Sequence, residues 1–214
     1  MLKRLFIIPF LAMFLFAGVA QAQTDTLPDP GMLPDNPLFI LKDWSEKIGT
    51  FFTFDDEKKA ERFLKLSERR LAEADAMREK GKPEIAERHM VKYQEQLEHA
   101  LAKAEKAKEN GKNMDAVLTR LSEATLRHEE HMAEVYERAP EKAQKGLERA
   151  MEMSARGHVR AMQAIRKENQ EQVKERVMEK RRIVEQKFKA MRQRGANVPD
   201  ITEIEDEAET EIEE

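Results

Sequence analysis

The chain has 214 residues, of which 37% are charged and 6% aromatic, a formal net charge of -4 and no cysteine. Without cysteine it has no disulfide framework, thiolate zinc site or cysteine nucleophile, so its stability must come from buried apolar surface. Strong helix formers dominate, and no alternating apolar/polar run is long enough for a strand. Composition therefore predicts an all-α fold.

Residues 1–22 have the three parts of a secretory signal peptide. Two bases are followed by an uncharged apolar run over 5–20, and Ala20 and Ala22 place small residues at a cleavage site. We expect cleavage after Ala22 and export to the periplasm or the extracellular space. The alternative is a retained membrane anchor, which Pro9 and the shortness of the apolar run disfavour.

A Pro-rich linker over 23–36 precedes the first helix, which we expect to begin with Asn36 as N-cap and Pro37 at the first helical position. This helix has an apolar stripe made of Leu41, Trp44, Ile48, Phe51 and Phe52. We expect the stripe to pack onto the rest of the fold, because burying one Trp and several Phe side chains is strongly stabilising. The alternative is that it faces a membrane surface or a partner.

Three more helices are predicted between residues 55 and 139, each with apolar residues at steps of three and four. Gly81 with Pro83, and Gly111 with Asn113, mark short turns between them. Such short turns favour antiparallel neighbours, so we predict an antiparallel up-and-down helical bundle over 37–165. A tetratricopeptide solenoid is the weaker alternative, because the signature residues of that repeat are absent.

A fifth helix is predicted to begin near Glu141, with small residues on its inner face that allow a close helix neighbour (Ala143, Ala150, Ser154, Gly157 and Ala161). No helix breaker follows before Gly195, so we expect one long helix whose basic extension over 166–195 projects from the bundle. Residues 196–214 are predicted to form an acidic, disordered tail.

Three stretches of the sequence resemble those of a known family. They are PGMLPDNPLFILKDW over 30–44, TFDDEKKAERFL over 53–64 and ERRLAEA over 68–74. The chain resembles, specifically over about 30–81, an exported, all-helical bacterial domain of unknown function, the family numbered 5667. The resemblance implies a helical fold and export. It implies no catalytic residues, because the family has no agreed set.

Candidate chemistry is sparse. His128, His131 and Met132 share one helix face and His99 comes from the preceding helix, a set of weak candidate ligands for copper. We expect these side chains to be ordinary packing residues, and Glu129 and Glu130 to be solvated rather than acid/base groups. Glycine-rich phosphate loops and zinc-protease motifs are absent from the sequence. We therefore expect neither an enzyme nor a cofactor.

The sequence accordingly predicts a non-enzymatic structural or interaction module of the cell envelope. Its expected partners are an envelope protein or a second copy, bound through helical faces. Residues 167–194, with ten bases against five acids, are a candidate for binding an anionic surface, and nucleic acid is not expected. The alternative function is a periplasmic metal- or ligand-binding bundle in stress response.

Overall fold

A computed structural model describes residues 27–213, and side chains through residue 210. The predicted signal peptide and its cleavage site lie outside the described residues. The described part contains seven helices and no strand, and it packs as a helical bundle, as predicted. The helices are α1 (Phe39–Phe51), α2 (Asp56–Glu79), α3 (Pro83–Glu109), α4 (Asp115–Tyr136), α5 (Glu141–Ala164), α6 (Lys167–Gln193) and α7 (Ile201–Glu213).

The turns between α2, α3 and α4 close as the glycines predict. Gly81 and Gly111 have φ of 68° and 81°, a left-handed conformation that glycine adopts without steric cost. After each glycine, the next backbone N–H donates back to the last turn of the helix: Lys82 to Met77 and Lys112 to Ala107. These bonds satisfy carbonyls that the helix end leaves free, so the chain reverses within a few residues.

Side-chain contacts define the direction of each helix. In α2 and α3, Phe63 stacks on His99 and Glu73 accepts from His89, so the two helices are antiparallel. In α4 and α5, Ser122 contacts His158 at 3.0 Å and the Thr125 carbonyl accepts from Ser154 at 3.1 Å, which also gives an antiparallel pair. The helix pairs then pack side by side around one continuous apolar core.

The predicted single long helix beyond residue 141 is wrong. Ile165 and Arg166 have extended backbone, with ψ of 143° and 138°, and they separate α5 from α6. Ile165 is buried in the core, and Arg166 donates to the Asp115 carboxylate at 2.7 Å, so tertiary contacts stabilise a turn that has neither glycine nor proline. Instead of projecting, α6 folds back onto α4 and buries Val173, Val177, Val184, Phe188 and Met191.

The acidic tail is also not disordered, contrary to expectation. Residues 201–213 form α7, which packs on α5 and buries Ile201 and Ile204. Glu205 of α7 pairs with Arg181 of α6, and Asp200, just before α7, pairs with Arg192 of α6. An apolar stripe spaced three and four residues apart and a supply of counter-charges are sufficient to order this segment.

Candidate interaction surface

Helix α1 attaches to the bundle through its charged side. Eight side chains form what we call the docking network: Lys42, Asp43, Glu46 and Lys47 of α1, Arg69, Arg70 and Glu73 of α2, and Lys92 of α3. Arg70 lies at its centre and donates to Asp43, Glu46 and Glu73. Lys42 donates to Glu73 at 2.6 Å and also to the carbonyl of Pro30, which fixes the linker.

Burial makes this network stronger than ordinary surface ion pairs. The side chain of Glu73 is fully buried, and that of Arg70 is 6% exposed. Burial by itself raises the pKa of Glu73, but hydrogen bonds from His89, Lys42 and Arg70 outweigh it and lower this pKa to about 2. Burial likewise lowers the pKa of Arg70, and its carboxylate partners raise it above the ordinary value. Both groups are therefore charged at neutral pH.

One aromatic ring accompanies the charges into the contact. Phe39 is the only apolar side chain of α1 that is buried, and its ring meets His89 edge-on with centroids 5.5 Å apart. The Lys42 ammonium and the Arg70 guanidinium lie 5.2 and 5.9 Å from the Phe39 centroid, within range of cation–π attraction. The attachment is thus polar, with a single apolar contribution.

The opposite side of α1 carries the predicted stripe and faces away from the bundle. We call it the outer face: Ile40, Leu41, Trp44, Ile48, Phe51 and Phe52. Trp44 is 64% exposed and Phe51 is 71% exposed. The expectation that the stripe packs onto the bundle is therefore wrong, and the alternative, that it faces a membrane or a partner, stays a prediction. At 3.6 residues per turn the six side chains cover an arc of about 120°.

The outer face continues past the end of the helix. Phe51, Phe52 and Phe54 form a chain of edge-to-face rings with centroid separations of 5.3 and 6.5 Å. At 150–250 Å² per ring, the four exposed aromatic side chains alone present roughly 500 Å². A monomer rarely exposes a larger contiguous apolar patch, and such patches mark interaction sites.

The start of α1 differs from the prediction. Pro37 lies in a turn before the helix rather than at its first position, and α1 begins at Phe39. Asn36 still acts locally, because its side chain accepts from the backbone N–H of Leu38 at 2.9 Å. Asp35 pairs with Lys80 and Lys82 in the turn between α2 and α3, so the residues just before α1 are also fixed to the bundle.

The candidate metal ligands do not converge. His128 is buried and lies 3.2 Å from the Tyr93 hydroxyl, and Met132 is buried in the core. His131 contacts Asp75 of α2, whereas His99 stacks on Phe63. Within residues 27–213, no three His, Asp or Glu side chains are grouped so that they could hold a metal ion.

Glu129 contradicts the expectation that it is solvated. Its side chain is completely buried, and both carboxyl oxygens lack a hydrogen-bond partner among the described residues. Burial raises the pKa of Glu129 well above its ordinary 4.5. The nearby Ser154 and the positive charge of Arg181 lower this pKa, but by less than burial raises it. Burial thus favours the neutral form of this carboxyl. Glu130, by contrast, is paired with Lys180 and Lys187 on the protein surface.

Many of the bases of the segment over 167–194 face acids of neighbouring helices. Arg176 pairs with Glu123, Arg194 with Glu137, and Lys187 with both Glu130 and Glu134. These ion pairs join α6 to α4 and to the residue that follows it. Binding of an anionic surface through this helix stays a prediction.

Sequence reasoning missed the docking network itself, although several of its residues lie in the stretches that identify the family. Lys42 and Asp43 belong to the quoted stretch over 30–44, and Arg69, Arg70 and Glu73 belong to the stretch over 68–74. The charged residues of two separate motifs are thus two sides of one contact. A pairing of opposite charges between these motifs could have indicated that contact.

The described residues define an all-helical bundle with an outward-facing amphipathic helix attached by ion pairs. A family model described as a domain of unknown function (DUF5667) matches residues 31–142, just over half of the chain, and the chain belongs to that family. The resemblance drawn from the motifs is thereby confirmed, and the matched residues contain the whole docking network. No curated protein and no solved structure matches the chain. In residues 27–213, none of the helices combines the length and apolarity needed to cross a membrane.

Proposed function

We propose that this protein is a non-enzymatic, exported interaction module of the cell envelope that works through the outer face of α1. The observation that carries the proposal is the orientation of α1, whose charged side is buried while its aromatic side is exposed. A folded chain gains stability by burying such rings, so their display is a cost that binding would recover.

The attachment of α1 supports this reading. Because the docking network fixes the helix on α2, the outer face is presented in one orientation before any partner arrives. Preorganisation of this kind reduces the entropy that binding must overcome. Export supplies the location, since the predicted signal peptide would deliver the module to the envelope.

The test compares envelope association with stability. In the double variant Trp44→Ala, Phe51→Ala we expect an unchanged Tm, because both side chains are mostly exposed, and a loss of the protein from the envelope fraction of expressing cells. The matched control is Met178→Ala, which removes another exposed large apolar side chain, 61% exposed on α6. We expect the control to keep both properties. A large fall in Tm with unchanged envelope association would contradict the proposal.

A further inference from the structure

The charges beside the outer face indicate what it binds. Resting on the proposed function, which makes the outer face the working surface, we infer that this face docks on an anionic lipid surface. The docking network contains five bases and three acids, an excess of two positive charges. Arg62, which donates to the Glu46 carbonyl, adds one more base to this side of the bundle.

All three acids of the docking network are largely covered, whereas three of its five bases reach solvent. The acids lie beneath α1: the side chains of Glu73, Glu46 and Asp43 are 0%, 8% and 20% exposed. The bases at the edge reach solvent, with Lys47 at 76%, Arg69 at 41% and Lys92 at 36%. Along the side of α1 that meets α2 and α3, the aromatic face is therefore bordered by cations whose counter-charges are largely covered. Lipid headgroups of negative charge are complementary to such a border.

The shape of the surface suits the same partner. An interfacial helix lies in the membrane plane and buries its apolar side about 5–10 Å into the headgroup region, with Trp and Phe inside and basic residues at the headgroups. In α1 the single Trp of the chain lies on the outer arc and Lys47 at its edge, while Phe54 extends the apolar surface beyond the helix. Since the charged side of α1 is already paired with α2, that side need not enter the lipid.

A second copy of the chain fits less well. Two outer faces brought together would place two positively charged borders opposite each other, and like charges across an interface are unfavourable. An anionic lipid surface instead attracts each exposed base, by the same electrostatic interaction that draws polybasic segments to membranes. Charge thus favours lipid over self-association.

The experiment uses the purified full chain with vesicles of phosphatidylcholine, alone or with about 30 mol% phosphatidylglycerol. Trp44 is the only Trp, so its emission reports directly on α1. We expect co-flotation and a blue shift of Trp44 emission with the anionic vesicles, at least tenfold weaker binding to the neutral ones, and release by salt. Equal binding to both vesicle types would overturn the inference.

Variants distinguish binding by α1 from binding by residues 1–26. Because residues 1–26 are the same in every protein compared, a difference between two proteins comes from the substituted residue. Phe51→Ser with Phe52→Ser should weaken anionic-vesicle binding at least roughly tenfold, and Lys47→Glu several-fold. The controls lie on α6: Met178→Ser replaces an exposed large apolar side chain and Lys174→Glu makes the same charge change, and both should bind as the unaltered chain does. Circular dichroism checks that each variant is folded. Binding that both α1 variants retain would overturn the inference.

Failure of the lipid inference is distinguishable from failure of the proposed function. If no vesicle is bound but the chain dimerises on sedimentation, and Phe51→Ser with Phe52→Ser abolishes the dimer, the occupant is a second copy and the lipid inference is overturned. If neither occurs, while the Trp44→Ala, Phe51→Ala protein still fractionates with the envelope, the proposed function fails as well.

Discussion

The guanidinium of Arg70 and the carboxylate of Glu46 meet where α1 lies on α2, with only 6% and 8% of their side chains exposed. This ion pair attaches α1 to the bundle, as a buried apolar stripe does in most amphipathic helices. Asp43 and Glu73 complete the coordination of the same guanidinium. Removing Arg70 would therefore leave three carboxylates close together without their common partner.

The first prediction concerns this guanidinium. Arg70→Met should lower the free energy of unfolding by about 3–5 kcal/mol, because it removes the buried cation that three carboxylates share and leaves them under-compensated. Urea unfolding followed by circular dichroism measures the loss. Lys142→Met, which breaks the exposed pair with Glu84, is the control and should leave stability unchanged. A loss at Arg70 below about 1 kcal/mol would mean that the network behaves as a surface pair.

The second prediction is acid release of α1. Glu73 has a pKa of about 2 in the folded chain and 4.5 ordinarily, so the stability it provides is complete above pH 4.5 and is lost as the pH falls towards 2. Hydrogen exchange of α1 amides should accelerate over this window relative to those of α4. In Glu73→Gln, α1 should already exchange rapidly at neutral pH. Acceleration of equal size in α4 would argue against local release.

The third prediction concerns Glu129, whose folded pKa is raised. The unfolded chain ionises this group above pH 4.5, whereas burial disfavours its ionisation in the folded chain, so its presence costs stability increasingly as the pH rises above 4.5. Glu129→Leu should raise the free energy of unfolding by about 1–3 kcal/mol at neutral pH, with a smaller gain below pH 4.5. Glu95→Leu, on the exposed side of α3, is the control. A gain independent of pH would show that ionisation is not the cause.

The fourth prediction tests the packing of three helices around Gly157. A Cβ at Gly157 of α5 would lie 3.2 Å from Leu101 of α3 and 3.5 Å from Thr125 of α4. Gly157→Val should therefore cost about 1–3 kcal/mol through overpacking. Gly146→Ala, also in α5, meets only the end of the Glu87 side chain and should gain about 0.5–1 kcal/mol. Thermal unfolding compares the two, and equal effects would contradict this account.

The fifth prediction addresses α7. Ile204→Asp removes a buried anchor worth about 1.5–3 kcal/mol, so α7 should detach locally while the core persists. A Glu-specific protease should then cleave residues 201–213 at least roughly tenfold faster, with the melting of the core nearly unchanged. Thr202→Asp introduces the same charge on the exposed side of α7 and should not have this effect. Rapid cleavage of the unaltered chain would contradict the packing of α7.

Much of the bundle could be predicted because its signals are local. Apolar spacing and the glycines at 81 and 111 locate helices and turns from a few neighbouring residues. The small residues of α5 correctly predict a close neighbour, as Gly157 shows. The break at Ile165 could not be predicted in this way, because contacts with a distant Asp115 stabilise it rather than any local breaker.

The orientation of α1 and the state of Glu129 share another cause of failure. Periodicity finds the stripe that contains Trp44, but it does not reveal which side of a helix meets the core when the charged side has buried partners. Likewise, a Glu on a helix is solvated in most proteins, and only the packing of α5 and α6 around Glu129 overrides that tendency. Both depend on residues far apart in the chain.

The way α1 is attached separates two kinds of constraint on the sequence. Phe39 is the only ring that the helix gives to the interior, so the side chains pointing outward contribute little to folding. Residues 40, 41, 44, 48, 51 and 52 can therefore be exchanged for others without disturbing the bundle. Relatives or engineered versions could acquire a different binding preference on an unchanged scaffold, provided that the charges underneath are kept.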